Sequence, residues 1–455
     1  MHPILNRWLF SASLSVFCLA TAFAANAEEP MRIATFRCNA TPPLGQPLIS
    51  NDRLGMVESP LLAKGIVLEA AGRRYVICAL DWCELNNGGH DAYVQRLAEA
   101  AGTEPSLVAI QTVHQHTAPL VDSDSQKMLA DLGYGDLQID PIVFNAIGQR
   151  MADAVKEAVA KLEPFDQIGI GQAKVERVAA TRRPVDASGK IVIRWSKCDE
   201  PAVKALPEGP IDPYLKTITF ARAGKPLARL HYYATHPQTF YGDGRASSDF
   251  VGDVREALEK REGVFQIYFN GCGGDVTMGK YNDGSKKDRE ELTQRLTAGM
   301  EASIAETKLS PVHELHWRSY SLSLPRRTDS GFTVEAALAC LKNPKSGDTA
   351  RVCFGAERLV FHERAQKPIV LNSLEIGNIH MVHLPGEPMI DFQRYAQSLK
   401  PSDFVAVAGY GDCGTGYICP AKAFNEGGYE PTASNVSPEG EPLLKKAIAA
   451  LLGAE

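Results

Sequence analysis

The sequence predicts an α/β fold: mixed β-sheets flanked by helices, forming a single large catalytic domain. Two observations carry this. Short apolar, β-type runs alternate with longer stretches of helical period along the whole chain. Five of those runs also end in residues able to bind a metal or move a proton: Val108–Ala118, Leu227–Gln238, Val264–Thr277, Ile379–Glu387 and Phe404–Tyr417. Ligands and chemistry gather at the carboxyl ends of strands in α/β sheets, so these ends suggest one shared pocket.

The elements follow in order. Residues 1–27 read as a secretory leader, with Arg7 as a basic start, an apolar stretch from Leu9 to Phe23, and Ala25-Asn26-Ala27 as a small-x-small cleavage site. The expected location is therefore secreted or periplasmic, with residues 28–455 as the mature domain. Gly65–Ala70 and Tyr75–Asp81 read as a hairpin around Gly72-Arg73-Arg74. A helix is predicted over about His90–Ala101, a strand over Leu107–Val113, and a long helix over Pro141–Leu162 with Val143, Ile147, Met151, Val155 and Val159 every four residues. The Pro-containing stretch Pro184–Pro213 reads as a surface excursion. Strand Leu227–Thr235, helix Asp249–Arg261, strand Val264–Phe269 and helix Lys287–Thr307 follow. After the less regular interval Pro325–Val370 come strand Met381–Leu384 and a helix over Pro388–Leu399, with Pro388 in its first turn. No fixed repeat is visible.

The formal net charge of −6 gives no basic surface for nucleic acid. Among ten cysteines, Cys340/Cys353 and Cys413/Cys419 are the expected local disulfides, which an exported protein permits. No CxxC…CxxC pattern is present, so a cysteine-based zinc knuckle is not expected.

His114-Gln115-His116 puts two imidazoles on one side of an extended backbone, because strand side chains alternate with period two. Two readings stand: a metal site, which such a pair supplies cheaply, or a hydrogen-bonded polar strand end. His236 follows another strand, and a lone histidine there is either structural or the partner of the first pair. Glu387, in Pro385-Gly386-Glu387-Pro388, is either a metal carboxylate or a helix-start carboxylate satisfying orphan amides. The loop from Asn270 to Thr277 is glycine-rich but lacks the Lys-Ser/Thr ending of a P-loop. Cys272 within it has no local base to make it a nucleophile. His231, His380 and His383 lie inside apolar runs and read as core residues.

At these residues the chain resembles the catalytic domain of the neutral/alkaline (non-lysosomal) ceramidases, zinc amidases that cleave the N-acyl bond of ceramide. The resemblance runs from about Arg32 to Ala433 through TVHQHTAP, ATRRP, GPIDPYLKTITF, ATHPQ, SSDFVGDVREALEK, FNGCGGDVT, LPGEP and GYICPAKAFNEGGYE. It implies a Zn2+ held by His114, His236, Glu387 and Tyr417. It also implies His116 beside the substrate carbonyl, Arg182 as the family's arginine, Tyr429 as its second active-site tyrosine, and Asp275 in its amidase motif. Thr277 stands where the family often has serine. The chain runs only about 20 residues past the shared region, so the C-terminal immunoglobulin-like domain of typical ceramidases is not expected.

The activity implied is hydrolysis of the N-acyl amide of ceramide or a related lipid by a metal-activated water. His116 and Tyr429 would stabilise the oxyanion or protonate the amine, and Arg182 would bind a polar substrate group or the developing charge. Asp275 either orients the site from behind or caps its own loop. The partners implied are a small-molecule or lipid amide substrate and a peripheral contact with membrane lipid, with no nucleic acid and no protein partner. Two alternatives stand beside this: an exported metal-dependent esterase or amidase for a non-lipid substrate, and a non-catalytic binding protein with structural zinc.

Overall fold

Among the described residues three large sheets, of five, five and four strands, share one core strand order, and four two-stranded sheets accompany them. The computed structural model describes residues 30–49, 52–342 and 349–454. The proposed leader lies outside the described residues. In each large sheet an antiparallel hairpin is followed by a helix, and the next strand then lies parallel to the second hairpin strand, at the sheet edge.

The first unit is hairpin Leu62–Ala70/Arg73–Leu80, helix Asn87–Ala101 and edge strand Val108–Thr112. The second is Tyr214–Arg222/Lys225–Tyr233, helix Asp249–Glu262 and strand Phe265–Asn270. The third is Ile369–Ile376/Ile379–His383, helix Ile390–Leu399 and strand Phe404–Ala408. The first hairpin turns at Ala71-Gly72, both at positive φ, the twist that suits a two-residue hairpin. This threefold recurrence of topology leaves no sequence repeat. A hairpin–helix–strand unit asks only for apolar alternation and a turn, which many sequences satisfy.

The parallel edge strands carry few charges because they are covered on both faces and then meet one another. Thr112 donates its backbone N–H to Tyr410 O at 2.7 Å, joining the first and third sheets. Gly409 N–H donates to Asn270 O at 3.0 Å, joining the third and second. The Gln111 side chain reinforces the junction through Leu384 O (2.9 Å) and Gly409 O (3.1 Å). Sheet edges that would otherwise be open are thus closed against each other. Their carboxyl ends point to a common centre.

Several expectations shift. Two helices, Val334–Lys342 and Thr349–Glu363, occupy the interval read as irregular, burying Ala337, Leu341, Val352, Ala356 and Leu359 together. The helix expected from Pro388 starts at Ile390, because Glu387–Pro388 is extended and pairs with Tyr417–Ile418. The Pro184–Pro213 segment is tied down rather than free: Arg194, fully buried, donates to the carbonyls of Thr181, Val203, Leu206 and Pro207. Neither expected disulfide forms. Cys419 packs with Met389 and Ala423, whereas the Cys413 thiol donates to Gly411 O, so the two face different surroundings. Among the described residues no helix is long and apolar enough to cross a membrane.

Candidate metal centre

The three units deliver their strand ends to one point. From the first come Glu84, His114 and His116; from the second, His236 and the glycine loop; from the third, Glu387, Tyr410 and Tyr417. His114 Nε2 lies 3.1 Å from His236 Nε2, 3.2 Å from His116 Nε2 and 3.0 Å from Glu387 Oε2. His236 Nε2 lies 3.7 Å from the same carboxylate oxygen.

The hydrogen-bond network fixes the tautomers. His114 Nδ1–H donates to Cys83 O at 2.9 Å, and His236 Nδ1–H donates to Gly273 O at 3.0 Å. Both Nε2 atoms therefore carry lone pairs toward the centre. His116 is the reverse: Gln238 Nε2–H donates to its Nδ1 at 3.0 Å, leaving the proton on Nε2. Two histidines thus face the centre as ligands do, and the third faces it as a donor.

Glu387 Oε2 is buried, and with the His114 proton on Nδ1 its 3.0 Å approach to His114 Nε2 supplies it no donor. His114 Nε2, His236 Nε2 and Glu387 Oε2 form a triangle of acceptors, and none has a proton for the others. Two nitrogens bound tetrahedrally at ~2.0–2.1 Å would sit about 3.3 Å apart, close to what is observed. His116 can offer one N–H to His114 and Arg182 one to His236, which leaves Glu387 Oε2 without a donor, and a cation at the centre would satisfy all three. This donor set fits a divalent metal ion.

The electrostatics separate the three histidines. Burial, then the Arg182 charge, holds His236 well below the ordinary imidazole range, and burial with the neighbouring His114 does the same for His116. Burial opposes charge on His114 too, yet the Glu387 and Glu84 carboxylates outweigh it and raise its affinity for a proton.

The remaining expected residues divide. Tyr417 pairs in register with Glu387 on the neighbouring strand, and its Oη accepts from Arg182 Nη1 at 2.8 Å. Tyr429 stands half-buried beyond it, rings 5.6 Å apart, with the exposed Trp195 at 5.1 Å on its other side. Arg182 is not open to substrate as expected. It is buried, with Nη1 on Tyr417, Nη2 2.9 Å from His236 Nε2, and Nε facing Glu430 at 3.9 Å. Asp275 accepts the Ile390 N–H at 2.8 Å, capping the helix that follows Glu387, while its own carbonyl accepts Arg182 N–H at 2.7 Å. Burial raises its carboxyl to about 7. Thr277 donates to Ser196 Oγ at 3.0 Å and accepts Gly279 N–H, so its hydroxyl ties the end of the loop to the Pro184–Pro213 segment. Cys272 is buried in an apolar cluster with its thiol pushed well up by burial, which leaves no nucleophile there.

The glycines of this loop serve packing. A Cβ on Gly273 would meet Thr235 O at 2.5 Å, and one on Gly274 would meet Glu387 O at 2.6 Å. The loop lies directly on the strand ends that carry His236 and Glu387.

Glu84 escaped the sequence reading. Burial, then the Glu387 charge, raises it to about 8, and Asn86 Nδ2 donates to it at 3.1 Å. Its signal was present: it follows strand Arg73–Leu80 as His236 and Glu387 follow their own strands. Glu84 lines a cleft of about 220 Å³ that opens beside the centre, with His116, Glu387, Tyr417, Tyr429 and Phe354 on its walls.

The architecture has counterparts among solved structures. The chain is similar to neutral ceramidase from Pseudomonas aeruginosa, with a TM-score of 0.68 and 17% identity over 93% of this chain and 75% of that one. It is also similar to a ceramidase complexed with C2, at 0.66 and 16% over 92% and 75%. The fold is that of neutral ceramidase. No protein-family model matches the sequence, and no curated protein matches it. The neutral ceramidase fold accounts for what the sequence suggested from scattered motifs: one domain of mixed sheets whose strand ends share a pocket.

Proposed function

We propose that this protein is an exported zinc-dependent amidohydrolase that cleaves the N-acyl amide bond of ceramide or a related N-acyl lipid. The observation carrying this reading is the triangle of His114 Nε2, His236 Nε2 and Glu387 Oε2 beside a cleft. The likeness of fold to neutral ceramidase supports the amide as the bond attacked.

Zn2+ would be held by His114, His236 and Glu387, with Tyr417 as the fourth ligand, and when bound it supplies Lewis acidity to water and to the carbonyl. The chain's own groups do the rest. His116 donates its Nε2–H to the oxygen that gains charge as water adds to the carbonyl carbon. The C–N bond then breaks, the acyl part leaves as a carboxylic acid, and the nitrogen takes a proton to leave as an amine. Tyr429, at the cleft wall, is placed to orient that nitrogen. Arg182 keeps Tyr417 and His236 in position, and Asp275 holds both Arg182 and the Glu387 segment.

Thr277 acts by anchoring the end of the glycine loop to Ser196. Residues 1–27 direct export, and contact with membrane lipid is limited to substrate capture.

The test is metal content of the purified protein, followed by fatty-acid release from ceramide and from short N-acyl amides, with and without chelator. Chelator-sensitive release supports the reading, and turnover by metal-free protein sinks it.

A further inference from the structure

Tyr410 is fully buried, and its backbone lies in the left-handed region at φ +63°, which bulky side chains rarely adopt. It touches all three segments that supply the metal set. Its ring stacks on His114, with centroids 4.3 Å apart and planes 27° from parallel. Its carbonyl accepts from Thr112 N–H at 2.7 Å and from the Thr112 hydroxyl at 3.3 Å, two residues before His114. Its own N–H donates to Gly386 O at 2.9 Å, one residue before Glu387. Its hydroxyl sits 2.9 Å from the point where Gly273 would carry a Cβ, and the Gly273 carbonyl holds His236 Nδ1. That hydroxyl is buried without a hydrogen-bond partner, so its place is set by shape rather than by polarity.

We infer that Tyr410 is a positioning residue for the metal centre, locking His114, His236 and Glu387 into one geometry through a stack, two backbone contacts and a close fit to Gly273. The inference rests on the metal-centre reading. A residue in the left-handed region persists only where its surroundings over-determine it, and functional sites are where such residues gather. His114, its stacking partner, is itself at φ +69°. Tyr410 acts through the ligands and not on substrate.

The test compares wild type, Tyr410→Phe and Tyr410→Leu. Each is stripped of metal and titrated with Zn2+ against a chromogenic chelator, and each is loaded with Co2+ to read coordination from its visible spectrum. Melting of the metal-free forms serves as the control for folding. Phe keeps the ring and loses only an unpartnered hydroxyl, so its Zn2+ affinity should stay within about threefold of wild type. Leu should weaken Zn2+ by about 10–100-fold, the usual effect of losing a residue that orients ligands, and should change the Co2+ spectrum. Gly273→Ala, which crowds the same hydroxyl, should also weaken Zn2+. A Leu variant with lower melting temperature but wild-type affinity and spectrum overturns the inference alone. A wild type that takes up neither ion overturns the metal centre and this inference with it.

Discussion

His114 Nε2 and His236 Nε2 face each other across 3.1 Å, each with its proton held on the far side of the ring by a backbone carbonyl. Two lone pairs this close call for a shared positive charge. The His114→Ala and Glu387→Ala variants should therefore lose bound metal and activity together, read by elemental analysis and amide turnover. An active variant without metal would contradict the centre.

His116 differs from its neighbours by tautomer, and its role should differ too. His116→Phe should retain metal while kcat falls about 10²–10³-fold, the typical loss for one oxyanion donor. Metal loss in step with activity would instead make His116 a ligand.

The Asp81–Arg255 pair supports the site from behind. Both residues are fully buried, joined by two 2.8 Å hydrogen bonds, and Asp81 also accepts from Gln115 and from Leu62 N–H. Asp81→Ala strips both Nη groups of the buried Arg255 guanidinium of their carboxylate and leaves only Glu256, 2.9 Å from its Nε, so it should cost about 3 kcal/mol in denaturant unfolding. Gln115 lies between His114 and His116, so metal affinity should fall as well. A loss below about 1 kcal/mol would show that water replaces the carboxylate.

Two buried histidines away from the centre set an acid limit. Burial holds His231 at about 4 and His383 at about 3, against an ordinary 6.5. Both are depressed, so the unfolded chain takes up protons first. Their stabilising effect is complete above pH 6.5 and lost as pH falls toward those values. At ~1.4 kcal/mol per unit this amounts to roughly 3–4 kcal/mol for His231 and roughly 5 kcal/mol for His383. Unfolding free energy measured from pH 7 to pH 4 should fall steeply, and His383→Phe should flatten the slope. Equal slopes for wild type and variant would count against it.

Much of the centre was legible because its signals are local. A polar residue directly after an apolar run marks a strand end, and His114, His236 and Glu387 all stand there. Glu84 stood there too and went unread, because its run also carries the hairpin pattern. Arg182 was legible as a site residue but not in its role. The commitment of its guanidinium to Tyr417 and His236 depends on contacts across 235 and 54 positions of chain. The expected disulfides failed for the same reason: closeness in sequence does not set the direction in which a thiol points.

The sequence by itself determined the class of fold, the strand ends, and which residue types could hold a metal, since periodicity and turn chemistry act over a few residues. Only the tertiary structure decided that three separate sheet edges close on one point and that two histidines offer lone pairs while a third offers a proton. Those outcomes depend on carbonyls and backbone N–H groups such as Cys83 O, Gly273 O and Gly386 O, brought together by packing between elements far apart in the chain.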